Sequence, residues 1–293
     1  MAACGVLNLN KPCGPTSRQV VDRVQRLAHP AKVGHAGTLD PLAGGVLVVC
    51  VGAATRLIEY VQQMPKGYTG TFLLGRQSPT EDVEGEVTEL ANPPVPTLEQ
   101  ITAAAGALVG QIEQRPPAYS ALKVEGRRAY ALARKGQPVE LQPRTVIVQR
   151  IKVLAYQFPE LRLEIECGGG TYVRSLGRDL AQSLGTSAVM SELLRTSIGG
   201  FRVEEAVDPG SLTSQNWTDY LLPPLAAVGS LPRVEVSAEE IAKLRQGLAI
   251  PKRRMPTGAG PFAGADAAGR LVAILTPRGG GLLGPLRNLP AEE

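Results

Sequence analysis

Residues 161–184 read LRLEIECGGGTYVRSLGRDLAQSL, and the fold class turns on this stretch. Its first seven residues alternate apolar and polar, the period of a strand with one face on a core. Gly168–Gly170 interrupt the alternation, and a helix is expected from there to about Leu184. The same grammar recurs on both sides. Upstream, Tyr68–Leu74 reads as a strand and residues 79–89 as an acidic, turn-like stretch, and Thr97 with Gln100 caps a helix reaching about Val109. Further back, residues 5–9 read as a short strand and Val46–Val51 as a buried one, followed by an amphipathic helix over 53–64. Between them, Val20, Val21, Val24 and Leu27 mark one face of a helix, and Thr16 with Gln19 has the spacing of a capping box. Downstream, after Pro223 and Pro224, residues 232–293 suggest a small β-rich unit with one helix at roughly 237–246. Strands alternating with longer segments place the chain in the α+β class with mixed sheets.

At 293 residues the chain is long enough for two domains. A hydrophobic share of 43% and a charged share of 20% describe a globular protein and exclude wholesale disorder. The longest run of bulky apolar residues, Val46–Val51, is far short of the about 20 needed to cross a membrane. Asn8, Asn10 and Lys11 interrupt any signal-peptide core, so a cytoplasmic location is expected. Cys4, Cys13, Cys50 and Cys167 lie far apart and only two histidines are present, which supports neither a zinc site nor a disulfide framework. The net charge is only +4, yet 23 of the 31 basic residues are Arg, the side chain that forks onto phosphate. The charge is also localised: residues 111–150 carry +5, so the rest of the chain sums to −1.

Several motifs are excluded. Gly279, Gly281 and Gly284 fit a dinucleotide fingerprint, but too few residues follow to build the required helix. No P-loop, nucleophile elbow, zincin or EF-hand pattern occurs. Residues 34–44, GHAGTLDPLAG, stand apart and read as a loop reaching Gly45. Pro41 biases Asp40 toward an extended conformation, and the flanking glycines permit close approach of a ligand. Asp40 is either a nucleophile or base presented beside the following strand, or a turn residue bonding its own loop. Arg174 sits at a helix N-terminus, where a cation is disfavoured. It either points at a carboxylate or phosphate or is simply solvated. Tyr68, at the start of a strand, is a candidate aromatic platform or a core residue.

Together these segments resemble one family. Gly5-Val6-Leu7-Asn8-Leu9-Asn10-Lys11-Pro12, Gly14-Pro15-Thr16-Ser17 and the whole of Gly34–Gly45 resemble the bacterial TruB family of tRNA pseudouridine synthases. So do Arg115-Pro116-Pro117-Ala118-Tyr119-Ser120-Ala121-Leu122-Lys123, Gly126-Arg127-Arg128-Ala129-Tyr130 and Gly170-Thr171-Tyr172-Val173-Arg174, in family order across residues 5 to about 202. The resemblance implies a mixed-sheet catalytic domain over residues 1–230, with 111–150 as a basic RNA-binding insertion. Residues 231–293 resemble the family's PUA-like RNA-binding domain.

The implied activity is isomerisation of uridine to pseudouridine at position 55 in the T-loop of tRNA, with no cofactor and no metal, by a cytoplasmic monomer that binds the T-arm and no membrane. By motif, Asp40 matches the catalytic aspartate, Tyr68 the tyrosine that stacks on the target base, and Arg174 the arginine that pairs with the aspartate. His35 matches the histidine that fills the space of the flipped nucleotide, Tyr172 lines the pocket, and Lys11 and Pro12 support the active-site loop. Arg127, Arg128, Arg134 and Lys135 are expected near tRNA phosphates, on a short helix over 127–135 in an arm that closes over the T-arm. The chain departs from the family at Gln77-Ser78-Pro79-Thr80-Glu81-Asp82, where a Thr-Asp-Thr run is usual. One rival is a tRNA-binding or folding protein without turnover. Another is a glycoside or nucleoside hydrolase, which would call for a second carboxylate.

Overall fold

The computed structural model describes residues 3–119, 123–124, 127–128, 141–251 and 259–290. The chain forms two compact units. One comprises Met1–Pro41, Gly45–Met64 and Ile198–Glu293, and the other Leu42–Gly44 and Pro65–Ser197.

In the first unit the strand Gly5–Lys11 runs antiparallel to Ala43–Val51, with Leu7 opposite Val49 and Leu9 opposite Leu47. Every residue of Ala43–Val51 is buried, so its two faces feed two cores. Val46, Val48 and Cys50 join Val6, Tyr60, Val61 and Val228. Leu47, Val49 and Val51 join Val20, Val21 and Val24 of the helix Ser17–Ala28 and Trp217. That helix opens with the anticipated capping box, Thr16 and Gln19 bonding each other's backbone N–H. A second sheet follows in the order Arg233–Glu235, Phe262–Ala265, Leu271–Pro277, Leu282–Asn288, Ile250–Pro251. Its first pair is parallel and the other pairs antiparallel, which makes it a mixed sheet. One face packs Phe262, Ala273, Leu275 and Leu283 on Leu244 of the helix Ala238–Arg245. The other face turns Ala263, Leu271 and Ile274 into the core that holds Val46.

In the second unit the strands lie in the order Ala188–Ile198, Lys66–Leu74, Glu160–Cys167, Arg144–Gln157, Gly110–Gln114. The alternation of residues 161–167 is realised as read. Leu161, Leu163, Ile165 and Cys167 are buried, while the residues between them face away. The helices Leu98–Ala107 and Val173–Ser183 cover the buried face through Ile101, Ala105, Leu176 and Leu180.

Three local expectations need correction. The glycine-rich 34–45 stretch is not all loop: Val33–His35 is a strand whose Gly34 lies opposite Cys50, and Ala43 begins another strand. Gly34 serves close packing there, since a Cβ would sit 2.8 Å from the Ile58 side chain. The helix over 53–64 is a 3₁₀ turn, Gly52–Leu57, followed by an α-helix, Ile58–Gln63. Thr55 donates its hydroxyl to the Gly52 carbonyl at 2.7 Å, a side-chain bond that competes with the helical ladder. Arg127–Arg128 is a strand, antiparallel to Lys123–Val124, and not the start of a helix. A partner only three residues upstream makes the extended form available there, and pattern alone does not reveal it. The remainder of that expected helix, 129–135, lies outside the described residues.

Candidate functional site

The residues singled out by sequence divide between the units. Asp40 and His35 belong to the first, and Tyr68, Tyr172 and Arg174 to the second.

Asp40 is half-buried in a loop whose flanks are fixed on both sides. On the Leu39 side, the buried Ser17 hydroxyl accepts from Leu39 N–H at 2.8 Å and donates to the Leu39 carbonyl at 2.9 Å. On the Pro41 side, the carbonyl accepts from Gly14 N–H at 2.8 Å and from the fully buried Lys11 ammonium at 3.4 Å, which also bonds the Pro12 carbonyl at 3.0 Å. Proline at position 41 has no N–H to satisfy, so its carbonyl is the group that needs partners. Gly37 lies at φ 123°, a conformation that side chains disfavour, and it lets the loop turn ahead of Leu39. His35 ends its strand opposite Val49.

In the second unit Tyr68 stands on Lys66–Leu74 opposite Ile165, buried in the apolar cluster with Phe72 and Leu176. Two residues back, Lys66 lies opposite Cys167. Burial, reinforced by the nearby Arg195 charge, pushes the Lys66 amine down to about 8. Burial likewise pushes the Cys167 thiol up to about 11.

Arg174, in the first turn of Val173–Ser183, is 7% exposed and does point at a carboxylate. Its Nη1 lies 3.1 Å from Asp82 Oδ2 and donates to the Thr80 carbonyl at 2.6 Å, and its Nη2 donates to the Tyr119 carbonyl at 3.0 Å. Asp82 is 2% exposed. It also accepts from the Thr80 hydroxyl at 2.6 Å and from Glu84 N–H at 3.1 Å, so the carboxylate is well paired for so deep a position. The preceding residue, Glu81, has φ 63°. It accepts from Ser175 at 2.7 Å and pairs with Arg178. Burial raises its carboxyl, a push that Arg178 opposes. The acidic 79–89 stretch therefore does not merely turn in solvent. Glu81 and Asp82 lock it onto the helix that carries Arg174. Sequence reading passed over Glu81 and left Asp82 unassigned. The signal available was two carboxylates in a segment that departs from the family pattern.

Tyr172 is the residue before the helix. Its N–H donates to Gln114 Oε1 at 2.8 Å, and Gln114 Nε2 donates to its carbonyl at 3.1 Å. The Arg144 guanidinium lies 4.7 Å from the centre of its ring. Arg127 and Arg128 form the short strand described above. Among the described residues no group of three or more His, Cys, Asp or Glu is arranged to hold a metal, and no helix is long and apolar enough to cross a membrane. None of the four cysteines is joined in a disulfide.

Residues 25–173 match the model of the TruB family pseudouridylate synthase N-terminal domain. The tRNA pseudouridine synthase B of Dehalococcoides mccartyi (strain 195) is 41% identical over 289 residues, covering 97% of this chain and 95% of that protein. The Rhodopirellula baltica protein of the same name is 34% identical, covering 99% and 95%. Among solved structures, a Cbf5-Nop10-Gar1 complex matches with a TM-score of 0.72 at 28% identity, covering 93% of this chain and 78% of that one. An H/ACA RNP bound to a substrate RNA containing 2'-deoxyuridine matches with a TM-score of 0.74 at 25% identity, covering 98% and 86%.

Proposed function

Because the chain belongs to the TruB family of pseudouridylate synthases and is an enzyme that isomerises uridine in tRNA, we propose that its target is uridine 55 of the T-loop and that Asp40 carries the chemistry. The observation behind the assignment is the fixed loop around Asp40. Both neighbours of that residue are bonded to Ser17, Gly14 and Lys11, which holds one carboxylate on a preset backbone. Preset geometry of a reacting group is worth several orders of magnitude in rate.

A uridine in a folded loop must leave its stack to be reached, at a cost of a few kcal/mol. Stacking on an aromatic face offsets about 1–3 kcal/mol of it, and we assign that face to Tyr68. The Asp40 carboxylate acts as nucleophile or base. The glycosidic N1–C1′ bond breaks, the uracil turns while held, and a C5–C1′ bond forms. A proton leaves C5, for which Tyr68 is the candidate acceptor, and N1 takes up a proton in exchange. Arg174 completes the catalytic set as a cation whose direction Asp82 fixes. His35, Tyr172, Arg127 and Arg128 contact the RNA, residues 111–150 being the basic segment and 231–293 an RNA-binding domain. The protein works as a monomer, without metal or cofactor. Incubation with unmodified tRNA followed by chemical mapping of pseudouridine tests the reading. A single product at position 55 is expected. Product elsewhere overturns the position, and binding without product leaves the non-catalytic tRNA-binding protein as the reading.

A further inference from the structure

Gln114 and Arg144 face each other at the end of the ladder between Gly110–Gln114 and Arg144–Gln157. Within the basic segment 111–150 they flank residues 115–143, which hold six of its eight basic residues. Both side chains reach the same short run of backbone. Gln114 makes a two-point bond to the Tyr172 peptide groups, and Arg144 donates to the Gly170 carbonyl while covering the Tyr172 ring. The chain that follows Gln114 is tied to the same helix. Arg178 donates to the Arg115 carbonyl at 2.8 Å, Arg174 donates to the Tyr119 carbonyl, and Pro116 and Pro117 lie buried between them.

Gln114 is completely buried. A primary amide is the one side chain that both donates and accepts in the spacing of a peptide group, so it extends the ladder sideways onto Tyr172. Tyr172 stands where the chain enters the Arg174 helix, and it has no side-chain cap of its own. Its peptide orientation sets both the direction of its ring and the start of that helix. We propose that Gln114 is a positioning residue for the isomerisation. It acts through Tyr172, clamping that residue to the root of the basic segment with Arg144 opposite. The proposal rests on the reading of Tyr172 as a residue of the uridine pocket.

The test compares Gln114→Ala, Gln114→Glu and Tyr172→Leu in the full-length protein. The readouts are single-turnover pseudouridine formation, tRNA affinity and the thermal midpoint. Gln114→Ala is expected to slow single turnover by about 10–100-fold, the scale of a small misplacement near the chemistry, with tRNA affinity within about threefold. Gln114→Glu keeps the acceptor for Tyr172 N–H, and it regains a donor for the carbonyl only when protonated. Burial favours the protonated acid, so its rate relative to the parent is expected to rise by about threefold or more from pH 8 to pH 6. An unchanged rate for Gln114→Ala overturns the clamp alone. A parallel fall of midpoint, affinity and rate in both Gln114 variants, with no pH trend, also overturns it and makes Gln114 a purely structural residue. Full activity of Tyr172→Leu overturns the pocket reading of Tyr172 and the clamp with it.

Discussion

Leu39 and Pro41 carry backbone contacts on either side of Asp40, and these anchors of the loop stay in place when the carboxylate is replaced. Asp40→Asn should therefore abolish pseudouridine formation while leaving the thermal midpoint near the parent value. tRNA affinity should stay within a few-fold, since it rests on phosphate and shape contacts. Activity above a few per cent in a single-turnover assay removes Asp40 from the central role. Lys66 offers a test of a different kind. Its amine is pushed down from 10.5 to about 8 in the folded chain. Below pH 8 it is protonated in both states, and the buried charge is a full penalty on folding. Between about 8 and 10.5 the unfolded chain binds more protons, so stability rises with pH and the penalty fades. Lys66→Met removes this pH dependence, so its stability relative to the parent should fall by about 1–3 kcal/mol between pH 7 and pH 10.5. The opposed Cys167 thiol, pushed up to about 11 and coupled to the Lys66 charge, lowers stability at high pH in both proteins, so the comparison is repeated in a Cys167→Ala background to isolate Lys66. A difference that does not change with pH in denaturant melts would refute the assignment.

At the scale of elements, the helix Val173–Ser183 lies against Lys66–Leu74 because Gly177 leaves room for Phe72. A Cβ at 177 would fall 2.2 Å from that ring. Gly177→Ala gains about 0.5–1 kcal/mol of helix propensity. It also overpacks the contact, which costs about 1–3 kcal/mol. Net destabilisation is expected, and adding Phe72→Leu should recover part of it. Additive losses in a double-mutant cycle would show that the two residues do not meet. Contacts of this kind mark the limit of what the sequence discloses. The caps at Thr16 and Thr97 and the alternation of 161–167 are local patterns, and the structure follows them. The long strand Arg144–Gln157 is not legible, since its register shifts break the two-residue period. The burial of Asp82 is not legible either. An acidic, turn-rich stretch looks like surface, and the cation that compensates it lies 92 positions further along the chain. The loop around Asp40 falls between these cases. Its glycines and Pro41 announce an unusual backbone, while the bonds that hold it come from Lys11, Gly14 and Ser17.

Across the whole molecule the charge is uneven: +4 in total, with +5 confined to residues 111–150. We expect this segment to meet the phosphates of the tRNA T-arm, with Arg127 and Arg128 among the groups that touch them. Finding 127–128 in a strand paired with 123–124 leaves that expectation standing, because phosphate binding demands cations and does not demand a helix. The competing account is a solvated basic segment that touches no RNA, and the two differ in salt dependence. Each guanidinium that neutralises a phosphate releases counterions, so log affinity falls with log salt in proportion to the phosphates neutralised. Replacing Arg127 and Arg128 together by Ala should weaken tRNA binding and lower that slope by about 1 for each phosphate left without its guanidinium. A minimal stem–loop too short to reach the segment should bind the double variant and the parent with nearly the same slope. The measurement is affinity for full-length tRNA and for the stem–loop across a salt series. If the full-length slope is unchanged, the two arginines are solvated charges and the tRNA is held by other parts of the protein.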